Sequence, residues 1–247
     1  MAQRLGARLG EGRVAEVFAF GDTVVKRMRL PEGKHAIFRE AFVLAQVERL
    51  ELPAPRVISV GEFDGGWGLQ MSRIDGPVLA EQMLAGSALE VMAACHRLIL
   101  SKPGAGLPAL KQRVLAQLEQ ANISDSERAD CLSRLASLPD GQALCHGDFH
   151  PYNIICSTEG PVVIDWPDAT CGNPAADICR SYLLLHHHDP ALAMAYVAQG
   201  APLCGVSTAQ VFAWLRVLAA ARLSEGAAGD DARLRALMVS PPEANQP

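Results

Sequence analysis

The 247-residue sequence predicts an α/β chain of the α+β kind: a small antiparallel sheet with one helix, then a mostly helical remainder. Three features carry that expectation. Apolar and polar residues alternate through roughly the first thirty positions, broken by glycines at intervals that suit a meander. From Val78 onward the apolar positions recur at helical spacing instead. Within that helical part lies one polar loop, Leu144 to Ile155, held between short apolar runs and followed by Val162-Val163-Ile164-Asp165-Trp166.

Taken in order, residues 5–10, 13–20 and 23–30 read as three strands, with Gly10-Glu11-Gly12 breaking the first pair and Gly21-Asp22 turning the second. Gly10 and Gly12 can bring backbone N–H groups close to phosphate oxygens, although a Gly-x-Gly hairpin is more often just a turn. Lys26 stands in the third strand, and strand alternation sends it and Arg27 to opposite faces. An ammonium turned inward needs a carboxylate partner. Residues 39–50 supply one on a helix whose apolar face is Ile37, Phe38, Ala41, Phe42, Leu44, Ala45 and Val47, with Glu40 near its start. Pro53 and Pro55 end that helix. Residues 57–62 and 67–74 form a hairpin around Asp64-Gly65-Gly66, and Gly76-Pro77 marks a crossover. The expected division is therefore residues 1–75 and 76–247, with the joint at 71–76.

Residues 79–101 read as one helix, or as two broken near Gly86-Ser87, and Lys102-Pro103-Gly104 ends it. Residues 110–120 and 125–138 are two more, the latter capped by Ser124. His96 belongs to the first of these helices as a packing residue. A turn-rich loop over 167–177 feeds a helix through Tyr182 and Leu185. His186-His187-His188 is an exposed helix end, because neighbouring helical side chains point apart. Residues 190–199 and 208–223 complete the helical part, with Phe212 and Trp214 in its core; Gly226 to Gly229 is a joint and 241–247 a frayed tail.

Composition narrows the function. The apolar content of 49% is that of a globular chain. No apolar run is long enough to cross a bilayer, and the N-terminus lacks a secretory layout, so a soluble, cytoplasmic protein with no membrane partner is expected. Seven scattered cysteines show neither C-x-x-C nor zinc spacing and read as small buried apolar residues in a reducing compartment. Residues 1–75 carry eleven basic and ten acidic side chains and residues 76–247 eleven and seventeen, so the net −5 sits in the second part. With no basic stripe, nucleic acid is not expected as a partner. The acidic second part leans toward a cationic ligand, or is simply a solvated helical surface.

The chemistry concentrates in His146, Asp148, His150, Asn153 and Asp165. Loops between buried strands are where a scaffold fixes functional groups. Asn153 and Asp165 offer hard oxygen ligands suited to Mg²⁺, while Asp148 is free to take a proton from a hydroxyl. His-x-Asp-x-x-x-x-Asn followed by Ile-Asp resembles the catalytic and metal loops of the aminoglycoside phosphotransferase and choline kinase family, relatives of protein kinases.

That resemblance implies a two-lobed protein-kinase-like fold, ATP and Mg²⁺ as cofactors, and transfer of the γ-phosphoryl group to a hydroxyl of a small molecule. It implies Asp148 as base, Asn153 and Asp165 as metal ligands, and Lys26 set on the α- and β-phosphates by Glu40. By the same likeness Ser72 and Ile74 offer a carbonyl and an N–H to the adenine, with Met71 behind the base. His146 is structural, its ring donating to the backbone, and Asp177 braces the catalytic loop through backbone hydrogen bonds. Asp168 either lines the substrate site or serves the turn, and His150 is left open. Tyr152 departs from the glycine common in similar sequences, which narrows the space near the metal or puts a phenol at the substrate mouth. Only eleven residues separate Asp165 from Asp177, too few for a peptide-docking segment, so the acceptor implied is an amino sugar, sugar or amino alcohol. A kinase-like regulatory protein that holds nucleotide without turnover, and a small protein kinase, are the alternatives.

Overall fold

The computed structural model describes residues 4–12, 14–29, 33–83, 87–226 and 229–239. The expected features at Arg13, Leu30, Gly86, Ala227-Ala228 and 241–247 lie outside these. By internal contacts the chain forms two compact units, Met1–Glu81 with Tyr152–Pro167 and Gln82–Pro151 with Asp168–Pro247. The segment after the polar loop thus belongs with the N-terminal part, which a cut at residues 75 and 76 does not include.

In the first unit, strands β1 (Arg8–Glu11), β2 (Ala15–Phe20), β3 (Thr23–Met28), β4 (Val57–Phe63) and β5 (Gly66–Ser72) make an antiparallel sheet in the order β1-β2-β3-β5-β4. The β4–β5 turn has Asp64 at φ 45° and Gly65 at φ 80°. Two successive left-handed residues match the strand twist, which is why Asp-Gly stands there. Helix α1 (Lys34–Arg49) buries Ile37, Glu40, Ala41, Val43, Leu44 and Val47. Phe38 and Phe42, expected on that face, are half exposed at 50% and 49%, because they lie about one residue's rotation off the buried stripe. Phe38 rests instead against the Trp67 ring.

The same unit holds a hairpin of Ile154–Ser157 and Gly160–Val163. The expected joint is pinned to it: the Cys156 N–H donates to the Pro77 carbonyl at 2.8 Å and Val78 bridges Ile155. A Cβ on Gly76, at φ 149°, would fall 2.3 Å from the Cys156 oxygen, so only glycine allows that approach.

The second unit is mainly helical: α2 (Ala88–Leu100), α3 (Leu110–Gln120), α4 (Asp125–Ser137), α5 (Pro174–His186), α6 (Pro190–Leu203), α7 (Thr208–Ala213), α8 (Leu215–Arg222) and α9 (Asp231–Val239). Their starts follow the capping rules. Ser124 and Glu127 form a reciprocal capping box on α4, and Asn173 and Asp189 cap α5 and α6 with proline as the next residue. Trp214, Tyr182 and Tyr196 are fully buried, and α5 packs on α6 and α8. No helix among the described residues is long and apolar enough to cross a membrane.

Several expectations are corrected here. The span 79–101 follows the broken alternative, with α2 starting after Ser87, but its first piece is a short 3₁₀ turn, Leu79–Gln82. Thr170–Gly172, read as loop, is a strand paired antiparallel with Ala143–Cys145, so the polar loop starts from a two-stranded base. Residues 208–223 break at Trp214 into α7 and α8. Helix α9 was hidden among charged residues, because it buries only Leu234, Leu237 and Met238. Four of the seven cysteines are buried, and Cys156, Cys171 and Cys204 are partly exposed; all are free thiols.

Candidate functional site

In the first unit Lys26 is the centre of a three-residue ion cluster. Its Nζ lies 2.7 Å from Glu40 Oε1 and 2.7 Å from Asp165 Oδ1. Strand β3 turns Lys26 to the α1 side, where Glu40 is the one charged member of the helix's buried stripe. Arg27 goes to the opposite face and lies over the Phe18 ring. Burial pulls the Lys26 ammonium down, but the two carboxylates more than reverse this and hold its pKa above the ordinary lysine value. The lysine is therefore a permanent cation.

Asp165 follows the Gly160–Val163 strand at φ 65°, one of three non-glycine residues in the left-handed region among those described. A side chain there costs about 1–2 kcal/mol, and such strain is held where the surroundings fix it. From this position, two residues past the strand, the carboxylate reaches Lys26. Asn153, 7% exposed, ends a 3₁₀ turn of Pro151–Asn153, and its carbonyl accepts from the Ile164 N–H at 2.9 Å. That backbone bond ties Asn153 to the residue before Asp165. An amide oxygen and a carboxylate are the hard donors Mg²⁺ takes, and Mg²⁺ needs no all-protein cage because phosphates and water complete its shell. These residues fit that ion.

In the second unit Asp148 is partly exposed. Its Oδ2 lies 3.4 Å from His150 Nε2 and its Oδ1 3.9 Å from Arg180 Nη2. Burial raises its pKa, but His150, Arg180 and His146 outweigh this and hold the carboxyl well below the usual range, so it is ionised. His146, fully buried, accepts the Asp148 N–H on Nδ1 at 3.2 Å. At this nitrogen the ring accepts from the backbone, where a donor was expected. Gly147 between them has φ 82°, and a Cβ there would sit 2.4 Å from the Asp168 carbonyl oxygen.

Asp177, on the first turn of α5, accepts the His146 N–H at 2.7 Å and the Gly147 N–H at 2.8 Å. His96 Nε2 is 3.0 Å from the same carboxylate, and His96 Nδ1 hydrogen-bonds the Tyr196 hydroxyl. Burial raises the Asp177 pKa, but His96, His146 and the Gly147 N–H more than offset this, and the net direction is down. His96 therefore supports the loop through Asp177, a role beyond the packing expected of it.

The remaining expected positions divide. Gly10 is inside β1, paired with Val17 at a register shift, and not in the turn. The Gly12 N–H donates to the Ala15 carbonyl at 2.8 Å, so that donor is spent within the hairpin. Met71 and Ser72 end β5, and the Ser72 N–H donates to the Arg56 carbonyl at 2.9 Å. Ile74 lies just beyond, half-buried. Tyr152 is 61% exposed. Asp168 binds Arg113, with Nη2 2.6 Å from its Oδ1 and Nη1 2.6 Å from its carbonyl oxygen. His187 contacts Asp230 and His186 contacts Arg233, so the histidine run is anchored at its start. Among the described residues no group of three or more His, Cys, Asp or Glu could hold a metal.

Arg180, Glu225 and Arg113 carry no sequence signal, yet all touch this region. Arg180 donates through Nε to the Gly147 carbonyl at 3.1 Å, and its Nη2 lies 2.8 Å from Glu225 Oε1. Only its place three residues after Asp177, one helical turn on, could have flagged it.

Comparison with known proteins places the chain by family and by fold. A family model described as the phosphotransferase enzyme family matches residues 6–219. A thermostable mutant of aminoglycoside phosphotransferase APH(4)-Ia, in ternary complex with AMP-PNP and hygromycin B, is similar at TM-score 0.71 and 18% identity, over 97% of this chain and 94% of that one. Choline kinase LicA from Streptococcus pneumoniae is similar at TM-score 0.65 and 16% identity, over 95% and 91%. An aminoglycoside phosphotransferase from Streptomyces rimosus, in complex with ADP and streptomycin, is similar at 0.60 and 19%, over 82% and 88%. No curated protein matches the sequence. At these identities the solved structures establish the fold alone.

Proposed function

The chain belongs to the phosphotransferase enzyme family, a small-molecule kinase by that membership, and from this premise we propose that it moves the γ-phosphoryl group of ATP to a hydroxyl of an amino sugar, sugar or amino alcohol. The observation that carries the reading is the Lys26 cluster, one ammonium held by a helix carboxylate and by Asp165 at 2.7 Å each. Lys26 would hold the α- and β-phosphates, with Glu40 keeping it aimed. Asn153 and Asp165 would hold Mg²⁺, which when bound neutralises charge on the nucleotide phosphates.

Asp148 would orient the acceptor hydroxyl and accept its proton. A carboxylate held so acidic is a weak base, so its larger contribution is to aim the nucleophile. Its loop is held for that task by Asp177 beneath the His146 and Gly147 amides. Charge near Asp148 is matched, with Asp168 on Arg113 and Glu225 on Arg180, so neutral and cationic acceptors both belong in a screen.

The test is ADP release from Mg-ATP across a panel of amino sugars, sugars and amino alcohols, wild type against Asp148→Ala. Acceptor-dependent release should fall about 100-fold or more in the variant. Mg-ATP binding with no acceptor-dependent release across the panel would replace this reading with a nucleotide-holding regulatory protein. Label transferred to a protein in lysate would replace it with a protein kinase.

A further inference from the structure

Arg180 is the one guanidinium facing the Asp148 carboxylate among the described residues, and it is held from three sides. Its Nε donates to the Gly147 carbonyl at 3.1 Å, its Nη2 reaches Glu225 at 2.8 Å, and the same nitrogen stands 3.9 Å from Asp148 Oδ1. The guanidinium is thus hydrogen-bonded to the Gly147 carbonyl and to Glu225, and stands at ion-pair distance, 3.9 Å, from the Asp148 carboxylate. A planar fork can satisfy two fixed acceptors at once, which a lysine ammonium on a flexible stem cannot reproduce.

Glu225 is fixed in turn. Arg222 Nη1 lies 3.1 Å from it, and Arg222 Nε lies 3.0 Å from Asp230. Asp230, 1% exposed, also takes Arg233 at 2.6 Å and His187 at 3.0 Å. Charges therefore alternate from Asp148 through Arg180, Glu225 and Arg222 to Asp230, at the head of α9. A small cavity of about 40 Å³, lined by Arg113, Gly147, Asp168, Asp177 and Arg180, lies behind the loop. It has room for a few waters, and Leu110, Val114 and Leu218 line it beside the polar groups.

We propose that Arg180 is a positioning residue for phosphoryl transfer: clamped by Glu225, it holds Gly147 and faces Asp148 so that the carboxylate keeps the orientation in which it meets the acceptor hydroxyl. This rests on the reading of Asp148 given above. Arg180 touches neither nucleotide nor acceptor in that role, so its loss should move kcat and spare nucleotide binding.

The experiment uses the full chain and the best acceptor from the panel, or Mg-ATP hydrolysis to water if water is the best acceptor. Arg180→Ala should lose about 10- to 100-fold in kcat, the scale on which supporting residues act, with KM for ATP within about twofold of wild type. Arg180→Lys should recover little, whereas millimolar guanidinium ion should restore part of the Arg180→Ala activity and leave wild type unchanged. Glu225→Gln should give a smaller loss of the same kind. Full activity in a folded Arg180→Ala overturns the proposal. So does complete rescue by lysine, or a fall in kcat and ATP affinity together with Tm, because each would reduce Arg180 to charge or bulk. A variant that does not fold passes the decision to Glu225→Gln, where unchanged kcat overturns it. Wild type with no turnover at all sinks the kinase reading itself, an outcome distinct from the others.

Discussion

Lys26 and Asp165 are 139 positions apart in the chain, yet their Nζ and Oδ1 atoms meet at 2.7 Å. The pair joins the third strand of the sheet to the end of the hairpin within one compact unit. With Glu40 at the same distance on the other side, the ammonium has two anionic anchors.

Glu40→Gln removes one of those anchors and leaves Lys26 drawn to Asp165 alone. A hydrogen bond between charged groups contributes about 1.5–3 kcal/mol, so KM for Mg-ATP should rise about tenfold or more. Steady-state kinetics at saturating acceptor measure this, and a KM within twofold of wild type would show that Glu40 does not set the lysine.

Asp177 has a lowered pKa in the folded protein. A carboxyl depressed on folding stabilises the native state above its unfolded pKa of about 3.9, and that contribution is lost as pH falls through the lower native value. Tm should accordingly drop as pH is taken below about 4. Asp177→Asn should cost about 3 kcal/mol near neutrality, because a buried partner of two amides and a histidine is broken, and should flatten the acid limb. Thermal melts across pH decide it; an acid limb as steep in the variant as in wild type would assign the loss to other carboxylates.

Gly147→Ala places a Cβ 2.4 Å from the Asp168 carbonyl oxygen in a residue at φ 82°. The left-handed backbone alone costs about 1–2 kcal/mol, and the overlap must shift one of the two loops. Activity should fall more than stability, since Asp148 is the next residue. Comparing Tm with kcat for this variant tests it.

Ser124→Ala serves as the contrast. It breaks the capping box on α4 and should cost about 1 kcal/mol of stability. Turnover should stay within error of wild type; a fall in kcat would show that α4 bears on the site.

The local features were readable in the sequence. Ser124 before an amphipathic run, Asp64-Gly65 between strands, and His146 to Asn153 between apolar runs each carry their signal within a dozen residues. Lys26, Glu40 and Asp165 came together in order because residue type and element restricted the choices. What stayed hidden depends on partners far along the chain. Nothing near Arg180 announces that Glu225, 45 positions on, will meet it. Thr170–Gly172 is three residues in a turn-rich run, too short for period-2 alternation to register. Phe38 and Phe42 misled because a helical face read from apolar spacing is wider than the stripe its neighbours can cover.

The run of ions ending at Asp230 imposes a parity on how the sequence can change. Arg180 and Arg222 share Glu225, so neutralising that glutamate would leave two guanidiniums side by side with one anion fewer between them. A reversal at any position is tolerable only with a compensating reversal next door, and the error otherwise travels along the row toward the carboxylate at its far end. The segment that leads into α9, remote in sequence from the polar loop, is therefore electrically continuous with it, and grafting residues 230–239 from another chain should carry Arg222 and Glu225 along to leave the loop undisturbed.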